Sequence, residues 1–175
     1  LYAKPRRWGA APRVAAAVDP GHPRDPDGAL DAALVGAATR VATALRGSLC
    51  LVHAFQPLDP RFALPALAGA PGLDPGTAQR LAVAAEADAR RRVAALLPRR
   101  GELRPELVLL QGSAVETLPG FAEVERLDVL ALGAVARGRL QEALLGATAE
   151  RLLERVDCDL LIVPVPRRRR ERRTG

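Results

Sequence analysis

The stretch GAVARGRLQEALLGATAE, residues 133–150, carries three glycines, Gly133, Gly138 and Gly146, between apolar runs at 127–133 and 159–165. Glycines after a strand let backbone N–H groups approach phosphate oxygens, and a following helix start adds a favourable dipole. Other chemistry is poorly served. A Walker-type loop ends in Gly-Lys-[Ser/Thr], and no lysine follows Lys4. Two widely separated cysteines, Cys50 and Cys158, and two lone histidines do not make a zinc ligand set. The only serines are Ser48 and Ser113, and neither sits in a Gly-x-Ser-x-Gly elbow. His22 follows Asp19 in one loop, which invites a base–carboxylate pair, but an exposed loop histidine is the plainer reading. His53 lies in an apolar run and reads as a strand residue with a satisfied ring nitrogen.

Such a loop needs a rigid frame, and the chain supplies one. Apolar runs at 13–18, 48–55, 105–111, 127–133 and 159–165 read as strands. Between them, three- and four-residue spacing predicts helices over 27–46, 77–97, 114–126 and roughly 144–156. Gly47 is the expected C-terminal cap of the first helix. In the second, Leu81, Ala85, Ala89, Val93 and Leu96/Leu97 form the apolar stripe, with Glu86–Arg90 and Asp88–Arg92 paired on the wet side. Ser113 with Glu116 is a capping-box pattern opening the third, which Gly120 weakens. Strict alternation with continuously apolar strands predicts a parallel sheet covered by helices on both faces. Ligands bind such sheets beyond the carboxyl ends of the strands where their order reverses, here the loops DPGHP and GAVARG. Pro164 puts the end of the last strand at an edge or in an interface.

The 175 residues suffice for one domain with an ordinary core. No run approaches the roughly 18 apolar residues of a membrane helix, and the N-terminus lacks the apolar region of a signal peptide. A cytoplasmic protein with reduced, buried thiols is expected, with no membrane partner. The net charge of +6 belongs to the ends. The tail 167–175, RRRRERRTG, brings +5, and Lys4, Arg6 and Arg7 bring +3, leaving residues 13–166 at −2. Six arginines would hold a phosphate backbone without sequence preference. Aromatics are only 3% of the chain, so base-stacking surface is scarce and a disordered solubilising tail is the better reading. The absence of methionine, including at position 1, suggests a piece of a longer chain.

The segment DVLALGAVARGRLQEALLGATAERLLERVDCDLLIVPVP, residues 128–166, resembles the C-terminal third of a universal stress protein (UspA-like) domain. LLGATAE followed by CDLLIV is most similar to the second domain of tandem, E-type members, and LYAKPRRW resembles the end of a preceding domain. The resemblance implies an α/β fold of the flavodoxin-like, adenine nucleotide alpha hydrolase-like type, a five-stranded parallel sheet in order 3-2-1-4-5. It also implies a linker over 1–12, a stress protein domain over 13–166, and pairing through strand 159–165 with an upstream domain or a second copy.

One branch of that family binds ATP through Gly-x2-Gly-x9-Gly-[Ser/Thr] after strand four. Here Gly133 and Gly146 match, but Ala136 stands at the second glycine and Ala147 at the hydroxyl position, with Thr148 one residue late. Asp19 matches an acidic residue near the nucleoside, and Ala54 a backbone position close to the base. Arg137 and Arg139 offer phosphate contacts or a solvated loop. Three readings stay open. The first is a stress-response binding or regulatory module with a degenerate nucleotide loop, not an enzyme. The second is an ATP-binding member, with magnesium, that hydrolyses slowly. The third is a nucleic-acid-associated protein acting through its tail.

Overall fold

Five short strands are mainly apolar, and helices cover the sheet on both faces, burying the central strands most deeply. The computed structural model describes residues 1–5, 7–56, 75–98, 103–134 and 147–165. The strands are β1 (Arg13–Ala17), β2 (Ser48–Phe55), β3 (Glu106–Gln111), β4 (Val129–Ala134) and β5 (Asp159–Pro164). Between them lie helices α1 (Ala29–Ala44), α2 (Pro75–Ala95), α3 (Ala114–Val124) and α4 (Ala147–Leu153). The sheet is parallel throughout, in the expected order β3-β2-β1-β4-β5. Residues 144–146 of the fourth expected helix, and the tail 167–175, fall outside the described residues.

Alternate strand residues feed two cores. Val14, Ala16, Leu49, Leu51, Val129 and Ala131 face α1 and α2, where Leu34, Ala38 and Val93 are fully covered. Ala15, Val52, Leu130 and Leu132 face α3 and α4, where Leu118 and Leu152 close the other side. Each covered leucine or valine contributes about 1.5–3 kcal/mol of hydrophobic stabilisation. The stripe on α2 departs from expectation at one end: Ala89 and Val93 are buried, but Leu81 is 42% exposed. Glu86–Arg90 and Asp88–Arg92 pair as the spacing predicts, at 3.6 and 2.7 Å. Cys50 and Cys158 are not joined in a disulfide, and burial pushes the Cys50 thiol up to about 12.

The helix ends use residues that sequence reasoning passes over. Gly47 is not the left-handed cap expected of it; Arg46 takes that conformation, with φ 52°. Arg46 N–H bonds Thr43 O and Gly47 N–H bonds Ala42 O, the paired bonds of a Schellman motif. Helix α3 ends the same way, with Arg126 at φ 50° and Leu127 N–H on Ala122 O. Gly47 is required for another reason: a Cβ there would lie 2.1 Å from the Pro12 carbonyl oxygen. Ser113 caps α3 by position, but its hydroxyl donates to Glu116 Oε2 at 2.6 Å, so the expected box joins side chain to side chain. Pro119 inside α3 has no N–H for the Val115 carbonyl, and Arg155 donates to that oxygen at 2.9 Å instead. The helix runs unbroken through Gly120.

Candidate functional site

Strand β1 connects to β2 on one side and neighbours β4 on the other, so the order reverses at the gap between β1 and β4. A cavity of about 240 Å³ opens there, at the carboxyl ends of the strands. Ala17, Val18 and Asp19 enter it from the end of β1, Val52 and Ala54 from β2, and Leu132 and Gly133 from β4. Helix α1 contributes Leu30, Asp31 and Leu34; α3 contributes Ala114 and Leu118; Thr148 and Ala149 come from the first turn of α4. The structure thus brings together Asp19, Ala54, Gly133 and Thr148. Ala136, Gly146, Arg137 and Arg139 lie outside the described residues, and of Ala147 only its place at the start of α4 is described.

Gly133 has a packing reason that needs no phosphate. A Cβ there would lie 2.8 Å from Leu30 Cδ2 and 3.0 Å from Leu30 Cγ, so its absence lets α1 close on β4. Its φ is outside the left-handed region, so a methyl would crowd Leu30 without straining the backbone.

The polar lining is mostly acidic. Asp19 is exposed, and its backbone N–H donates to Asp31 Oδ1 at 3.0 Å. Asp25 is buried and does the work of a helix cap from a distance. Gly28 occupies the cap position with φ 66° and no side chain, so Asp25 Oδ2 accepts from Leu30 N–H at 3.0 Å and Asp31 N–H at 3.3 Å. His53 Nδ1 donates to Val18 O at 2.9 Å and stands 3.9 Å from Asp19 Oδ1. Its ring nitrogen is satisfied as expected. His22 is half-buried at the cavity rim and accepts the Arg24 N–H on Nδ1 at 3.1 Å. Among the described residues no group of three or more His, Cys, Asp or Glu is arranged to hold a metal ion.

Nothing in the sequence pattern singles out Asp25 or Asp31. Asp25 precedes the first helical turn by more than a cap's usual distance, and Asp31 sits inside the helix pattern. Burial pushes the Asp31 carboxyl above its ordinary value, and Asp25 and Asp19 add to the rise; the Asp19 N–H and His53 oppose it. The folded state therefore binds a proton more tightly than the unfolded one, so this group's contribution falls as pH rises from 3.8 through the raised value. Asp31→Asn keeps the acceptor for Asp19 N–H and removes the charge. Thermal melts from pH 3.5 to 8 should show a gain in stability at neutral pH that vanishes at the acid end. An equal change at both ends would mean that Asp31 does not titrate with folding.

A doubly wound α/β domain with a half-apolar, half-acidic cleft at its switch point belongs to the class of folds that bind small molecules beyond their strand ends. Residues 12–164 match the sequence profile of the universal stress protein family, and the chain belongs to that family. It is 30% identical over 60 residues to a universal stress protein of Methanocaldococcus jannaschii, a match spanning 34% of this chain and 35% of that protein. A universal stress protein solved in complex with cAMP superposes with a TM-score of 0.53 at 23% identity, over 90% of this chain and 100% of that one. A protein of Pseudomonas aeruginosa PAO1, described as functionally unknown, gives 0.60 at 22% identity, over 93% of this chain and 50% of that one. At these identities the structures establish the fold. No helix among the described residues is long and apolar enough to cross a membrane.

Proposed function

We propose that this chain is a stress-response binding module whose cleft takes the nucleoside end of an adenine nucleotide, and that it is a regulatory component, not a nucleotide hydrolase. The lining of the cleft carries this reading. Its walls are apolar, and its described polar side chains include three carboxylates, Asp19, Asp25 and Asp31, against the single guanidinium of Arg24. Such a lining accepts an uncharged base with amino donors and repels a polyphosphate. Asp19, Ala54 and Gly133 would border the nucleoside. Phosphates, and any magnesium they bring, would fall to the segment 135–146, where Ala136 replaces a glycine that phosphate approach favours and Ala147 follows in place of a hydroxyl. The relative solved with cAMP supports a nucleotide of this class.

Within the cell the chain would be cytoplasmic and would act as the second half of a tandem protein. The Pseudomonas aeruginosa protein, of which this chain spans half, supports the tandem reading. The arginine tail 167–175 would serve solubility, with no nucleic-acid partner.

Calorimetric titration with adenosine, cAMP and ATP with magnesium tests the binding role. Saturable heat with adenosine and cAMP is expected. Silence from all three up to about 1 mM, the edge of specific affinity, would remove the nucleotide from the reading.

A further inference from the structure

The three carboxylates of the cleft are not equivalent. Asp19 is exposed, and water can satisfy its oxygens. Asp25 is committed to the start of α1, where its Oδ2 accepts two backbone N–H groups. Asp31, in the first turn of α1, is only 5% exposed. Its Oδ1 accepts the Asp19 N–H at 3.0 Å, and among the described residues nothing bonds its Oδ2. No fully covered side-chain oxygen or nitrogen among the described residues lacks a hydrogen bond, so Oδ2 is an atom that the cleft reaches. Leu30, the residue before, packs on Gly133 of β4, whereas Asp31 turns to the end of β1 and has His53 of β2 among its charged neighbours. Its carboxyl thus belongs to the β1–β2 side of the cleft, away from the segment after β4.

A buried carboxylate with an unspent oxygen destabilises the fold, and the fold does not require it. An asparagine would serve the Asp19 N–H equally and carry no charge. We propose that Asp31 selects the base of the nucleoside: its Oδ2 accepts a hydrogen bond from the exocyclic amino group of adenine, and the cleft thereby rejects 6-oxo purines such as hypoxanthine. The inference rests on the nucleoside reading above and adds to it the residue and atom that discriminate. An amino N–H on a carboxylate makes a charge-assisted bond. A carbonyl oxygen at the same place sets two acceptors against each other, with no proton between them.

Asp31→Asn reverses this chemistry. The Asp19 N–H still needs an acceptor, so the asparagine oxygen stays on it and the Nδ2 donor turns to the cleft. Titration calorimetry with adenosine and inosine at neutral pH reads the result. The unsubstituted chain should prefer adenosine by about tenfold or more, and Asp31→Asn should bind inosine the more tightly of the two. Asp31→Ala, which neither donates nor accepts, should bring the two nucleosides within about threefold of each other. A merely structural role for Asp31 would weaken both nucleosides together and leave their ratio unchanged. Adenosine binding without preference in the unsubstituted chain overturns the proposal, as does the parental preference in either folded variant. If the unsubstituted chain binds neither nucleoside, the nucleoside reading itself fails, and this inference falls with it.

Discussion

Gly133→Ala is expected to weaken adenine-ligand binding by about tenfold or more, with the fold retained. The added methyl meets Leu30 at 2.8 Å, and Leu30 is a flexible side chain that also lines the cavity, so its displacement is expected to take up space a ligand would use. The backbone at Gly133 is one that alanine adopts without strain, so the stability cost should stay near the low end of overpacking, about 1 kcal/mol. Pairing it with Leu30→Ala removes the crowding, and the double variant should recover most of the lost affinity. Titration calorimetry on the two variants checks this. If Gly133→Ala binds as well as the parent, the ligand does not sit against β4. Failure of the double variant to recover would mean instead that Gly133 acts on the ligand directly.

The largest stability effect is expected at Gly47. Replacing glycine by alanine outside the left-handed region usually stabilises a protein slightly, by about 0.4–1 kcal/mol. Here the Cβ would lie 2.1 Å from the Pro12 carbonyl oxygen and 3.0 Å from its carbonyl carbon, both backbone atoms. The same oxygen accepts the Ser48 N–H at 3.0 Å, which fixes how the chain enters β1 beside β2. Relief requires moving a backbone segment that sets the register of two central strands, at a cost of about 3 kcal/mol or more. For a domain of this size that lowers the melting temperature by roughly 10 °C. A melt within a degree or two of the parent would show that the Pro12–Gly47 approach is not tight.

The fold is legible in the sequence because its central strands are covered on both faces. Runs such as SLCLVHAF and LDVLALG have no polar face to hide, and only a sheet covered on both sides accommodates five of them. The helix ends were less legible. Arg46 and Arg126 take the left-handed position where glycine is expected, because the two carbonyls that each turn satisfies offset a modest strain in a non-glycine residue. Asp25 is illegible in the sequence for a related reason: a carboxylate that caps a helix across a loop leaves no fixed spacing to read. In the sequence Gly133 reads as phosphate chemistry, and the structure adds the packing of Leu30, which no spacing rule encodes. Nor does the sequence place Tyr2 on the outer edge of β5, where it exchanges backbone hydrogen bonds with Leu160, since a single bridge carries no periodic signal.

The ratio of affinities for adenosine and for ATP with magnesium tests the central claim most directly. If the cleft holds the nucleoside and the loop after β4 no longer grips phosphate, the two should bind within about threefold of each other, a difference below 1 kcal/mol. ATP binding thirtyfold or more tighter than adenosine, about 2 kcal/mol, would show a working phosphate cradle despite Ala136 and Ala147, and would contradict the account.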